Sequence, residues 1–182
     1  MKKLTLTTLL ILILSSFALF AADDTDAFDV VATINGIHEI KLVTPGTTVP
    51  ATKAEFDALT TNNTDYTIND SNYDATQTVR QLVSMSNNRA GYYMTLSATA
   101  MAADLGSSEY AYINYIVIAG GASLTTNNAT AVTATSNIYE SGALTGMDFH
   151  STDVTISVNE GQYENAVTGS YSGTVTFNLF AN

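Results

Sequence analysis

Between Tyr171 and Phe180 the chain reads Tyr-Ser-Gly-Thr-Val-Thr-Phe-Asn-Leu-Phe. Tyr171, Val175, Phe177 and Leu179 share one side of a period-two pattern, and Ser172, Thr174, Thr176 and Asn178 share the other. Side chains alternate in this way only on an extended backbone, so one greasy face is buried and one polar face stays wet. That is a strand closing over a core between two sheets. The same period recurs where Phe28, Val30, Ala32 and Ile34 alternate with Asp29, Val31 and Thr33, and again at Val154, Ile156 and Val158. The pattern predicts an all-β, antiparallel sandwich.

Asn35-Gly36 lies between the run at 28–34 and a second run, Ile37–Val43. Both residues tolerate positive φ, which suits a tight hairpin, with a wider bend between two sheets as the alternative. Pro45-Gly46 and Pro50 end the second run. Thr52 stands three residues before Glu55, the spacing of a helix capping box, and Phe56 and Leu59 could bury one side of a two-turn helix. The polar stretch 60–77 reads as a loop or weak edge strand. Residues 78–85, a turn at 86–91, and 92–98 read as a second strand–turn–strand. Residues 99–106 read as a helical turn ending at Gly106. Glu109–Ile118, apolar on both faces, reads as one central strand ended by Gly120-Gly121. Residues 123–150 read as a long connection or edge strand. Neither a repeat nor a linker interrupts the chain.

The first residues combine a basic start (Lys2, Lys3), an apolar run at Leu9–Leu14 and small residues at Ala18–Ala22. This predicts a secretory signal peptide over residues 1–21, with cleavage after Ala22 as the alternative, and one domain at 22–182. The apolar run is too short for a membrane span, and no span is expected in the mature chain. Four basic residues then face 17 acidic ones, a net charge of −13. Such a chain repels phosphate backbones and anionic lipid, so nucleic acid is not an expected partner. The absence of Cys removes disulfides, thiol catalysis and thiolate metal sites. The composition suits an exported protein of the periplasm, the cell surface or the medium.

Chemistry-bearing residues are sparse. His38 lies between Ile37 and Glu39 in a strand, and His150 follows Asp148 by two residues. A nucleophilic triad needs a His oriented by a carboxylate and touching a specially presented Ser, and no Gly-x-Ser-x-Gly elbow exists. No enzymatic activity, cofactor or metal is expected. Asp65, Asn69, Asp70, Asn72 and Asp74 offer oxygen ligands to calcium, but a solvated acidic loop is the favoured reading. Tyr92, Tyr93, Tyr110, Tyr112 and Tyr115 could form a sugar platform, though core support is the commoner use. Lys41 in a strand raises an intramolecular Lys–Asn amide bond, with nothing beyond its position in favour.

Phe28-Asp-Val-Val-Ala-Thr-Ile34 resembles the N-terminal strand of a fimbrial subunit, and Ala166-Val-Thr-Gly-Ser-Tyr-Ser-Gly-Thr-Val-Thr-Phe177 resembles the closing strand of one. The nearest type is the cysteine-free pilin of the colonisation-factor class of chaperone–usher fimbriae. The resemblance implies a single immunoglobulin-like, pilin-like β-sandwich that is incomplete. Its groove would be filled first by a periplasmic chaperone and then by the N-terminal segment of the next copy, giving a homopolymer in a fimbrium. The donor would be Phe28 to Ile34, with Phe28, Val30, Ala32 and Ile34 filling pockets. The plainer reading has that segment pair within its own sheet. The expected function is therefore an exported structural or adhesion-type surface protein. The alternatives are a monomeric binding module for sugar, peptide or calcium, and a small outer-membrane barrel.

Overall fold

The computed structural model describes residues 29–182. The expected signal peptide at 1–21 and Phe28 lie outside the described residues. The chain divides after Ile34. Residues 29–34, the described part of the first unit, carry no strand.

The second unit, 35–182, is all-β and antiparallel apart from two short helices. Its strands are β1 (His38–Val43), β2 (Gln77–Ser86), β3 (Tyr92–Ala98), β4 (Met101–Gly106), β5 (Glu109–Ile113) and β6 (Tyr115–Ala119). β7 (Ala122–Thr125), β8 (Val132–Thr133), β9 (Tyr139–Glu140), β10 (Asp148–Val158) and β11 (Val175–Ala181) complete the set. One sheet runs β1-β2-β10-β6-β7, a second runs β11-β3-β8 with β9 also on β3, and β4 and β5 form a hairpin. These are three sheets with ends among the described residues, whereas a barrel needs one sheet closed on itself.

The main core is shared by the two larger sheets. Leu82 of β2 and Val117 of β6 meet Tyr92, Met94 and Leu96 of β3, all fully buried. β2 is covered on its opposite face as well. There Val83 and Met85 pack with Val43 and with Phe56 of helix α1 (Lys53–Ala58). Residues 81–86 are consequently buried without alternation, because a strand covered on both faces has no solvent side. α1 starts as its sequence predicts. Thr52 Oγ1 accepts from the Glu55 N–H at 3.2 Å, and the Glu55 carboxylate accepts from the Thr52 N–H at 3.2 Å.

Three sequence expectations change. The Asn35-Gly36 hairpin does not form. β1 pairs with β2 instead, His38 opposite Ser86, and the chain before it is pinned by Asn87, whose side chain bonds Ile37 N and Asn35 O. The strand–turn–strand expected over 78–98 is present, its turn joining strands of different sheets. Residues 101–106 are a strand, not a helical turn. Ser107 and Ser108 both take positive φ, giving the two-residue turn that folds β4 back on β5, and pairing outweighs the weak helical preference of Ala and Met. The run 109–118 is two strands. At Asn114 the chain leaves the hairpin for the five-stranded sheet, Asn114 N donating to Gln162 Oε1 at 2.7 Å.

Candidate functional site

A groove of about 920 Å³ lies beside β11. Its floor is apolar, built from Leu42 of β1, Val79 of β2, Val154 and Ile156 of β10, and Val175 and Phe177 of β11. Alternation puts Val175, Phe177 and Leu179 on one side of β11, and all three are only half-buried. β11 bonds β3 along one edge, and among the described residues no strand pairs with the other. An unpaired edge of this kind presents main-chain N–H and C=O groups to any extended segment laid alongside.

Two irregular segments wall the groove. Residues 62–68 pass the point where β1 has ended, and Asn62 N donates to Leu42 O at 2.7 Å. Arg80 of β2 holds this segment by its main chain, Nε donating to Asn62 O at 2.9 Å and Nη2 to Thr64 O, while Nη1 donates to Val79 O of its own strand at 2.5 Å. The second wall, residues 166–174, follows helix α2 (Glu160–Glu164), which is capped by Asn159. It is fastened by the reciprocal Ala102–Ser172 main-chain bonds at 2.9 and 3.0 Å. Arg80 and Asp65 are the charged residues of the lining. Tyr115 also lines the groove, and burial pushes its phenol up to about 12.

Of the expected donor residues, Val30 and Ile34 are 85% and 84% exposed and Ala32 is exposed. Val31, on the alternate side, is exposed at 88%. The described part of that segment thus carries exposed apolar side chains and lies outside any ladder.

The other candidates are dispersed. His38 Nδ1 lies 2.9 Å from Ser86 Oγ, and His150 stacks on Tyr139 with centroids 3.6 Å apart. Asp148 accepts from the Tyr92 hydroxyl at 2.8 Å, and Tyr92 also meets Ser84 Oγ at 3.1 Å. Burial, together with the Asp148 bond, raises the Tyr92 phenol well above its ordinary value. These contacts tie β2, β3 and β10 together. In the acidic loop, Asn69 and Asn72 brace the turn through main-chain bonds, and Asp70 accepts from Tyr163 at 3.0 Å. Among the described residues no three His, Asp or Glu side chains gather as a metal set. The tyrosines do not make one platform. Tyr92 and Tyr115 are buried, Tyr93 stacks on Phe180, and Tyr110 and Tyr112 lie on the β4–β5 hairpin. Lys41 Nζ donates to the carbonyls of Phe56, Asp57 and Leu59 at 2.9, 3.0 and 3.3 Å, so its ammonium completes the C-terminus of α1.

Sequence reading missed the groove and the place of Arg80 in it. One signal was present: a single Arg within an otherwise uncharged strand run, Thr78–Met85. No helix among the described residues is long and apolar enough to cross a membrane. No protein-family model, no curated protein and no solved structure matches the chain.

Proposed function

We propose that this chain is an exported, non-enzymatic β-sandwich of pilin-like type, which assembles with further copies of itself by donating its N-terminal strand. The observation that carries the reading is the groove beside the unpaired edge of β11, with strand-borne apolar residues in its lining. An incomplete sandwich has such a groove, and an extended segment that adds main-chain bonds along the edge while inserting alternate side chains completes it. The chain carries a segment with alternating apolar residues in 28–34, whose described apolar residues are exposed. With Asn35-Gly36 not closing a hairpin onto β1, the feature that most favoured pairing within one sheet is gone. A periplasmic chaperone would shield the groove before assembly.

The cavity also falls within the roughly 300–1,000 Å³ of small-ligand sites, which keeps a monomeric binding module as the second reading. Two measurements separate them. The exported protein is run on size exclusion and on an unboiled denaturing gel, and a synthetic peptide of residues 28–36 is titrated into its monomeric fraction. Strand donation gives a boiling-sensitive ladder and a peptide that raises the melting temperature. Val30→Asp with Ile34→Asp abolishes both effects when placed in chain and peptide, while the variant monomer keeps its own circular dichroism. A folded monomer that forms no ladder and ignores the peptide overturns strand donation in favour of the binding module.

A further inference from the structure

We propose that Arg80 sets the register of the incoming segment by taking the Asp29 carboxylate of a second copy. The inference rests on the strand-donation reading and goes beyond it by naming what selects one alignment among several.

The apolar pattern of the donor cannot do this alone. Val30, Ala32 and Ile34 share one face, yet Val31 on the other face is also apolar. A one-residue slip therefore still buries a valine, and a two-residue slip keeps the same face turned inward. Within Asp29–Ile34 the one charged residue is Asp29, at the end of the segment. A single charge at one end marks a position along the strand that repeating apolar residues do not.

The groove offers one cation to meet it. Of the basic residues in the described chain, Lys41 is committed to the α1 carbonyls and Lys53 to Asp57 at 2.6 Å, and Arg89 lies outside the lining. Arg80 lines the groove, and among the described residues no carboxylate comes within salt-bridge distance of it. Its partners are neutral: the carbonyls of Asn62, Val79 and Thr64, and Thr64 Oγ1 at 3.2 Å. They orient the guanidinium without neutralising it. A guanidinium has five N–H groups in a fixed fork, and with four of them given to these acceptors one, on Nη1, remains for a carboxylate. Asp65, the lining's one acid, repels an acidic segment wherever Arg80 does not offset it, which sharpens the selection.

The test is a charge-exchange cycle read as peptide affinity. Peptides of residues 28–36, unaltered or carrying Asp29→Asn or Asp29→Arg, are titrated into the monomeric exported protein as wild type, Arg80→Gln and Arg80→Glu. On wild type, Asp29→Asn weakens binding by about three- to tenfold at low salt, and added salt shrinks the difference. On Arg80→Gln the two peptides bind alike. On Arg80→Glu the order inverts, and the Asp29→Arg peptide binds better than it does to wild type. If Arg80→Glu does not fold, Arg80→Gln still decides the matter. Equal losses from Asp29→Asn on wild type and Arg80→Gln overturn the register role while leaving strand donation standing. No binding by the unaltered peptide overturns both.

Discussion

Tyr73 and Tyr163 stack with ring centroids 4.4 Å apart and planes 12° from parallel, and each donates its hydroxyl to a carboxylate on the other's segment. Tyr73 reaches Glu164 and Tyr163 reaches Asp70, both at 3.0 Å. The pair joins the loop that continues from one groove wall to the helix that precedes the other. Burying ring faces against each other while the polar tips find carboxylates satisfies both halves of an amphipathic side chain. The carboxylates hold both phenols above their ordinary range, the Glu164 bond leading for Tyr73 and partial desolvation leading for Tyr163.

Breaking this clamp loosens the wall without unfolding the domain. Tyr163→Ala removes the stack and one hydroxyl bond, and amide exchange across residues 62–74 speeds up while exchange in β2 and β3 is unchanged. Tyr163→Phe keeps the stack and gives a smaller increase. Hydrogen exchange read by mass spectrometry checks both, and equal exchange in all three proteins rules the clamp out.

Phe56 is fully buried between α1 and the outer face of β2, and Lys41 Nζ sits 4.9 Å from its ring centroid. Phe56→Ala leaves a cavity against Val83 and Met85 and costs about 3–5 kcal/mol. Urea unfolding followed by circular dichroism reads the loss. A change below about 1 kcal/mol would mean that α1 does not cover the sheet.

Gly120 turns β6 into β7 with φ +53°, and a Cβ there would come within 2.4 Å of the Ile138 carbonyl oxygen. Gly46 also has positive φ, at +80°, but its Cβ would meet nothing within 4 Å. Gly46→Ala therefore costs only the backbone strain, about 1–2 kcal/mol. Gly120→Ala adds a clash with main chain that cannot rotate away, and its urea midpoint falls further than that of Gly46→Ala. Equal midpoints would contradict the close approach.

Elements whose signal is local were legible in the sequence. The alternation at 92–98 and 175–179 and the Thr52–Glu55 capping box each specify their own conformation, and each is present. What was hidden depends on partners distant in the chain. Nothing within 109–118 says that Asn114 separates two sheets, because the break is stabilised by Gln162 in α2. Residues 101–106 read as helical on a small intrinsic preference, which their pairing with 109–113 outweighs. The groove was illegible for the same reason. Leu42, Val79, Ile156 and Phe177 are ordinary strand residues, and only the pairing order leaves β11 with an open edge beside them.

His150 gives the fold a measurable acid dependence. It is half-buried against Tyr139, and loss of solvent lowers its pKa below the ordinary 6.5, the Asp148 charge acting in the opposite direction. A lowered value means that near pH 6 the unfolded chain binds more protons at this position than the folded one does. Stability from this group is therefore present above about pH 6.5 and is lost as the pH falls through the folded value. The side-chain carboxylates of unfolded chains titrate lower, near 4, so the interval from pH 7 to 5 belongs mainly to histidine. Urea midpoints of the wild-type protein at pH 7, 6 and 5 should fall in that order. In His150→Phe, which keeps a ring on Tyr139 but cannot protonate, the decline over the same interval becomes shallower. If both proteins decline equally, the imidazole is solvated when folded and the stacked geometry does not hold in solution.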